Sequence, residues 1–202
     1  MNKACLSILF SFISLVTFAQ QDNVEDAFSR SYTLEKTGSY SSAIACIKNI
    51  YSASSYEQNL RLGYLNYEAG LHAESMNYYL RAISLKPNAI EPKIGYVYPA
   101  SILGKWDEVV KQYQAILKLD PKNTNVNYKM GLIQYNRKNF QLAYKHFELV
   151  VGLYPFDYDS LLMYAWSNLQ LGKSAEARSL FKRVLLLSPG DRSATEGLSL
   201  LK

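Results

Sequence analysis

The stretch KNTNVNYKMGLIQYNRKNFQLAYKHFELVVGLYP, residues 122–155, decides the fold. It ends in a proline, and four marks lie at fixed distances before that proline. Counted back from Pro155, the marks are a large apolar residue at five (Val150), an aromatic residue at eight (Phe147), a small residue at twelve (Ala143) and a glycine at twenty-four (Gly131). Such spaced marks invite a search for the same pattern elsewhere in the chain.

The pattern recurs along the chain at a constant interval of about 34 residues, the distance from Pro87 to Pro121. The recurring marks are the prolines Pro87, Pro121, Pro155 and Pro189; the apolar residues Ala82, Ile116, Val150 and Val184; the aromatics Tyr79, Tyr113, Phe147 and Phe181; the small residues Ser75, Val109, Ala143 and Ala177; and the positions Gly63, Val97, Gly131 and Ala165. Between the two halves of each unit stands a turn mark, at Gly70, Gly104, Lys138 and Gly172. A fixed period of about 34 residues indicates a stack of structural repeats.

Each unit predicts two antiparallel helices. The first helix is amphipathic and turns at glycine, where a positive φ costs little, and the second helix runs back until the proline ends it. The small residues allow the paired helices to approach closely, and the aromatics fill the space between successive pairs. Because no unit can bury its apolar face alone, the units must stack on one another.

These marks resemble the tetratricopeptide repeat, and the resemblance extends from about Val24 to the C-terminus. It implies an all-α fold, a right-handed α-solenoid of antiparallel helix pairs forming a superhelix. We count five repeats in a domain of residues 20–202, at about residues 24–55, 56–89, 90–123, 124–157 and 158–190, followed by a capping helix over residues 191–202. The first repeat is looser, with Gly38 at its turn, and the capping helix has Gly197 at the glycine mark.

The first nineteen residues predict a signal peptide. Lys3 gives a positive start, an apolar run broken only by serine and threonine extends from Leu6 to Phe18, and small residues precede a cleavage point after Ala19. The alternative is a membrane anchor, but a span needs roughly 20 apolar residues and this run is shorter. We therefore expect an exported protein, periplasmic or secreted, with no stable membrane insertion after cleavage.

Composition and motifs argue against several functional classes. The net charge is +5, but the basic residues are scattered among acidic ones, so no basic stripe predicts nucleic-acid binding. With two cysteines and two histidines, a metal cage or disulfide framework is not expected. No glycine-rich phosphate loop or nucleophile elbow occurs, and the chain is predicted to have no catalytic, cofactor-binding or metal residues and not to be an enzyme. His72, His146 and Cys46 are interpreted as buried or half-buried packing residues.

The resemblance also implies where a partner would bind, because members of the family generally hold extended peptides in a concave groove lined by the first helices. Carried onto this chain, the groove positions are Leu60, Tyr64, Tyr67, Ile94, Tyr98, Ser101, Tyr128, Leu132, Tyr135, Leu162, Trp166 and Leu169. Tyrosine and tryptophan combine a large contact area with a polar edge, which suits reversible peptide recognition. We expect a protein or peptide partner, with an envelope or outer-membrane assembly as one candidate; the alternative is that these rings simply pack between helices.

Two further functions compete with a binding scaffold. A carbohydrate-handling protein or enzymatic accessory could use the aromatic groove as a sugar platform, but it would need carboxylates facing each other across the groove. Glu57, Glu91 and Asp159 lie near helix starts and are explained equally well by the helix dipole. RNA binding is disfavoured by the export signal and the scattered charge.

One departure from the pattern lies within the first helix of the third repeat. Pro99 removes a backbone hydrogen bond and presses on the carbonyl of residue 95, so a kink is expected. Gly95 is interpreted as loosening the packing and easing that strain.

Overall fold

A computed structural model describes residues 23–201, and all regular secondary structure in this range is helical. The helices are α1 (residues 23–36 as described), α2 (Tyr40–Lys48), α3 (Tyr56–Glu68), α4 (His72–Leu85), α5 (Glu91–Ile102), α6 (Trp106–Leu119), α7 (Thr124–Asn136), α8 (Phe140–Leu153), α9 (Tyr158–Gln170), α10 (Ser174–Leu187) and α11 (Arg192–Ser199). None of the helices within this range is long and apolar enough to cross a membrane. The expected signal peptide lies outside the described residues.

The chain divides into two compact units, and the boundary between Gln112 and Tyr113 falls inside α6. In the first unit, α3 packs against α2 and α4, α4 packs against α5, and α5 also touches α3. In the second unit, α7 pairs with α8 and α9 with α10, α8 bridges to α9, and α9 touches both α7 and α11. Within each unit consecutive helices therefore contact each other, and the first helices of successive pairs also touch, as α3 touches α5 and α7 touches α9. This confirms the predicted all-α fold of paired, stacked helices.

A positive φ ends the first helix of each pair, as the turn marks predicted. The φ values are 70° at Gly38, 76° at Gly70, 69° at Gly104 and 72° at Gly172, and Lys138 takes 60° in the same role. At Lys138 the backbone N–H donates to the Tyr135 carbonyl at 2.9 Å, and the next N–H, of Asn139, donates to the Gln134 carbonyl at 2.9 Å. This pair of bonds is the Schellman motif, in which glycine is favoured because the left-handed conformation strains a residue with a Cβ.

We expect Lys138→Gly to raise the free energy of unfolding by about 0.5 to 1 kcal/mol, because it removes the left-handed strain from an exposed side chain. Urea titration of the parent and the variant measures the change. Gly172→Ala is the matched control and should shift the midpoint in the opposite direction. A destabilised Lys138→Gly protein would contradict the prediction.

The predicted marks form the core. The small residues Ala43, Ser75, Val109, Ala143 and Ala177 are at most 1% exposed, and Phe147 and Phe181 are fully buried. In the first unit the Ser75 hydroxyl of α4 donates to the Gly63 carbonyl of α3 at 2.7 Å, so a short side chain of one helix reaches the backbone of the other. The close approach is the reason that small residues recur at this position.

Glycines in the first helices leave room for the recurring aromatic rings. A Cβ at Gly63 would lie 2.8 Å from the Tyr79 ring, and one at Gly95 would lie 2.3 Å from the same ring. Gly95 therefore makes space for Tyr79, a role that sequence analysis had not assigned to it. Pro99 does not end α5, which continues to Ile102, and the Pro99 carbonyl accepts the Leu103 N–H at 3.1 Å.

The second unit repeats the arrangement. A Cβ at Gly131 would lie 2.6 Å from the Phe147 ring, and one at Gly197 would lie 2.2 Å from the Phe181 ring. The assignment of Gly197 to the glycine mark was wrong, because Gly197 follows Gly95 by three full repeat periods and so shares the register of Gly95. The two positions were confused because both place a glycine of a first helix against the aromatic ring of a second helix. Gly63 and Gly131 occupy one of these positions, and Gly95 and Gly197 occupy the other.

A buried polar side chain ties each of three first helices to the loop before it. The position is occupied by Asn59, Lys93 and Asn127, which are separated by one full repeat period each and are at most 4% exposed. Lys93 Nζ donates to the carbonyls of Pro87 and Ala89, the second at 2.7 Å, and burial lowers the pKa of Lys93. The asparagine side chains donate to equivalent loop carbonyls: Asn59 to Ala53 and Ser55, and Asn127 to Pro121 and Asn123. These bonds hold the loop carbonyls in place before each first helix, and those of Ser55 and Asn123 also accept the backbone N–H of Asn59 and Asn127.

Candidate functional site

A cavity of about 660 Å³ opens in the first unit. Its walls come from α1, α3 and α5, with Tyr79 of α4 at its base. Five of the six groove residues predicted for this part of the chain line it: Leu60, Tyr64, Tyr67, Ile94 and Tyr98. The sixth, Ser101, does not line it, and its hydroxyl donates to the Val97 carbonyl at 2.7 Å. The structure therefore brings these five side chains together around one space.

The tyrosines of the cavity include exposed rings and one hydroxyl that is hydrogen-bonded to a carboxylate. Tyr98 is 53% exposed and its ring centroid lies 5.8 Å from that of Tyr67. The Tyr64 hydroxyl donates to Glu35 Oε1 at 3.0 Å. Burial, reinforced by this hydrogen bond, raises the pKa of Tyr64 to about 12, so its hydroxyl stays protonated near neutral pH. The cavity thus offers aromatic faces and, at Tyr64, a hydroxyl without phenolate charge whose proton is donated to Glu35.

Sequence analysis missed two aromatic residues of the site, Phe28 and Tyr32 on α1. They precede Leu60 and Tyr64 by slightly less than a full period, because the first repeat is shorter than the others. With the period shortened accordingly, Tyr32 falls in line with Tyr64. The signal was therefore present in the sequence but required a variable period.

Arg61 was also missed. Its side chain is 5% exposed, and its Nη1 lies 2.5 Å from Glu35 Oε2. Its Nε donates to the Ser31 hydroxyl at 2.8 Å, and the guanidinium carbon lies 3.8 Å from the centre of the Tyr32 ring. The remaining nitrogen, Nη2, is buried and has no hydrogen-bond partner among the described residues. A buried donor without a partner is costly in a folded protein, and Arg61 lines the cavity.

Three carboxylates, of Glu57, Glu68 and Glu91, stand on the cavity wall. Sequence analysis explained Glu57 and Glu91 by the helix dipole and did not consider Glu68. The side-chain cap of α3 is instead Ser55, whose Oγ accepts the Gln58 N–H at 3.3 Å. A hydrogen bond from its own backbone and the nearby Lys86 lower the pKa of Glu57, which is opposite to the tuning that a general acid requires.

The predicted groove residues of the second unit are all half-buried. Three of them, Leu162, Trp166 and Leu169, pack against its hydrophobic core. The Trp166 ring lies 5.2 Å from that of Phe181, and its Nε1 donates to the Ser193 hydroxyl at 2.9 Å. For Trp166 the structure therefore favours packing, the alternative that the sequence left open.

The aromatic residues of α7 make similar packing contacts. Tyr128 lies against Phe147, with ring centroids 5.9 Å apart, and Tyr135 lies against Phe140 at 5.2 Å. Leu132 is half-buried on the same helix. Tyr128 also borders a polar cavity of about 410 Å³ in this unit, together with Asp157 and Asp159 among others. Tyr128 and Tyr135 therefore differ from Tyr98 of the first unit, because their rings contact other rings whereas Tyr98 is more than half exposed.

The remaining residues with reactive side chains take packing positions. His146 is half-buried, and its Nδ1 lies 2.9 Å from Asn127 Oδ1; the Asn127 amide nitrogen is already donating, so the histidine donates here. Burial lowers the pKa of His146. His72 is half-buried against Tyr67, and Cys46 is a half-buried free thiol. Within residues 23–201, no group of three histidine, cysteine or acidic residues could hold a metal ion.

Comparison with known proteins finds repeats of one kind in the chain. One model of the tetratricopeptide repeat matches residues 126–156 and 159–191, and a second model of this repeat matches residues 59–89. The chain thus contains tetratricopeptide repeats, as the resemblance predicted. Proteins with this fold generally mediate protein–protein interactions and are generally not enzymes.

Solved structures share the fold at low sequence identity. A tetratricopeptide repeat protein from Parabacteroides merdae is 20% identical, with a TM-score of 0.75 over 89% of this chain and 72% of that one. A structure of MamA is 17% identical, with a TM-score of 0.71 over 82% of this chain and 92% of that one. A second, of MamA AMB-1, is 22% identical, with a TM-score of 0.71 over 87% and 94%. No curated protein matches the sequence of this chain.

Proposed function

We propose that the chain is an exported interaction module that binds an extended peptide segment of a partner protein in the cavity of its first unit. One observation carries the proposal: five side chains that the family resemblance places in a groove surround a single space of about 660 Å³. That volume is in the range of ligand-binding cavities, which bury apolar groups and orient them with a few polar ones. Leu60 and Ile94 supply apolar contact, and the tyrosines supply rings and hydroxyls.

The expected effect of removing two of these rings is a large loss of binding. In Tyr64→Ala, Tyr98→Ala, the affinity for a peptide selected on the parent from a random display library should fall about thirtyfold, near 2 kcal/mol. Tyr98 is 53% exposed, so the fold should survive, and circular dichroism checks this. Tyr154→Ala is a matched control, because Tyr154 is 57% exposed in the second unit. A folded double variant that binds as tightly as the parent would end the proposal.

Export is the second part of the proposal, and its support is the pattern of residues 1–19. A charged start, a short apolar run and small residues before the cleavage point are typical of secretory signals. A partner would then share the periplasm or the external medium, and a component of an envelope or outer-membrane assembly fits this placement. N-terminal sequencing of the protein from its own cell should give Gln20 as the first residue, and retention of Met1 would contradict export.

A further inference from the structure

The charges around the cavity do not cancel. Arg61 is compensated by Glu35, whose Oε2 lies 2.5 Å away, and Glu57 is paired with Lys86 at 3.3 Å. Glu68 and Glu91 remain on the wall and take part in none of the ion pairs found among the described residues. Their contacts are long hydrogen bonds from the hydroxyls of Tyr40 at 3.5 Å and Tyr56 at 3.4 Å. The cavity is therefore locally acidic in a chain whose net charge is +5.

The two carboxylates stand at opposite ends of the cavity. Glu57 and Glu68 are separated by most of α3, which spans Tyr56–Glu68, and eleven residues of helix correspond to about 16 Å at 1.5 Å per residue. Glu91 lies at the Glu57 end, since the hydroxyl of the adjacent Tyr56 donates to it. An extended peptide advances about 3.3 Å per residue, so residues four apart lie about 13 Å apart, and the long side chains of two lysine or arginine residues cover the rest of this length.

Aromatic faces accompany the carboxylates. Tyr32, Tyr64 and Tyr98 line the cavity and are at least 36% exposed. The Arg61 guanidinium already lies over the rings of Tyr32 and Tyr64, at 3.8 and 5.7 Å, so among these three Tyr98 is the ring with no cation over it among the described residues. An ammonium or guanidinium group is attracted to the face of such a ring as well as to a carboxylate. The ring surface together with Glu68 and Glu91 is the chemistry that recognises lysine and arginine side chains.

Arg61 gives an independent indication that the occupant is a peptide and not a simple amine. Its side chain is 5% exposed, it lines the cavity, and its Nη2 lacks a hydrogen-bond partner among the described residues. Nη2 has almost no accessible surface, so the guanidinium has to turn toward the cavity before this nitrogen meets an acceptor, and because Glu35 already compensates the charge, a neutral acceptor is sufficient. A backbone carbonyl of a bound peptide is such an acceptor.

We propose that the cavity binds an extended peptide segment that carries two basic side chains about four residues apart. One basic group meets Glu68 and the other meets Glu91, while apolar side chains between them contact Leu60 and Ile94. In an extended chain, residues four apart point to the same side, so both basic groups can face α3 and α5. This inference rests on the proposed function and adds the chemistry of the peptide.

Selection from a random dodecapeptide display library on the purified protein tests the inference. We expect enrichment of lysine and arginine in pairs four residues apart. Affinity of a selected peptide should fall about five- to tenfold in Glu68→Gln, Glu91→Gln, and the affinity of the parent should fall as salt is raised. Both carboxylates are exposed, so the exchange should leave the fold intact, which circular dichroism verifies. Glu176→Gln, an exposed change in the second unit, should have no effect.

The outcomes distinguish this inference from the proposed function. Selected peptides that are apolar or acidic, and that still lose affinity in Tyr64→Ala, Tyr98→Ala, would overturn the inference and leave the proposed function standing. Peptides that bind the tyrosine variant as tightly as the parent would remove the proposed function itself. Spermidine that displaces a selected peptide at the same molar concentration would show an amine site, which also overturns the inference.

Discussion

Replacing Phe147 with alanine is expected to lower the free energy of unfolding by about 3 to 5 kcal/mol. The ring is fully buried in the second unit, against Tyr128 on α7 and above Gly131. The change removes a large apolar group and leaves a cavity that the packed helices cannot close completely. Urea titration followed by circular dichroism measures the loss. Phe156→Ala is the control, because Phe156 is 58% exposed and should change stability by less than about 1 kcal/mol.

A double-mutant cycle tests whether Gly131 is needed to leave room for the Phe147 ring. A Cβ at Gly131 would lie 2.6 Å from the Phe147 ring, so Gly131→Ala should cost about 1 to 3 kcal/mol. In a Phe147→Leu background the smaller side chain leaves room for the methyl group. The two changes together should then destabilise by less than the sum of their separate effects, by at least about 0.5 kcal/mol. Additive effects would mean that the close approach of glycine and ring does not matter.

The helix pairs and their turns could be predicted because one physical requirement recurs with one spacing. Each close approach of two helices needs a small residue, and Ala143 and Ala177 are fully buried where the pattern places them. Each first helix ends in a left-handed turn, which identified even Lys138 by position although its residue type argues against it. A period repeated four times outweighs the preference of any single residue.

The loop ties could not be predicted, because different side chains perform one task. Asn59, Lys93 and Asn127 all donate to loop carbonyls, yet a lysine at this position looks like a surface residue. Its 4% exposure results from a long side chain that reaches back over the loop. An amide makes these hydrogen bonds in two repeats and an ammonium group makes them in a third, so no single residue type recurs at this position in the sequence.

The candidate site was predicted in part. The repeat register selected the five cavity side chains of α3 and α5, but Arg61 and Glu35 come together from different helices and carry no common spacing mark. The repeat register also could not distinguish a solvent-exposed aromatic ring from one packed against the core. Tyr98 and Trp166 are separated by two full repeat periods and so occupy equivalent positions. Tyr98 is 53% exposed, whereas Trp166 donates to Ser193 of α11, the helix that caps the second unit.

That equivalence makes Trp166→Ala and Tyr98→Ala a matched pair with opposite expected results. Trp166→Ala should lower the free energy of unfolding by about 3 kcal/mol, because it removes the ring contact with Phe181 and leaves the Ser193 hydroxyl without its donor. Tyr98→Ala should lower it by less than about 1 kcal/mol, since more than half of that side chain faces solvent. Urea titrations of both variants give the comparison directly.

A third variant separates the two contributions at Trp166. In Trp166→Phe an aromatic ring remains against Phe181 but the Nε1 donor is lost, so the expected loss is about 1 kcal/mol, the size of one hydrogen bond. If Trp166→Ala leaves the midpoint unchanged, the ring is not part of the core and returns to the set of side chains available to a partner. If Tyr98→Ala instead unfolds the protein, Tyr98 is a packing residue, and the loss of binding expected for Tyr64→Ala, Tyr98→Ala would reflect a lost fold and not a lost contact.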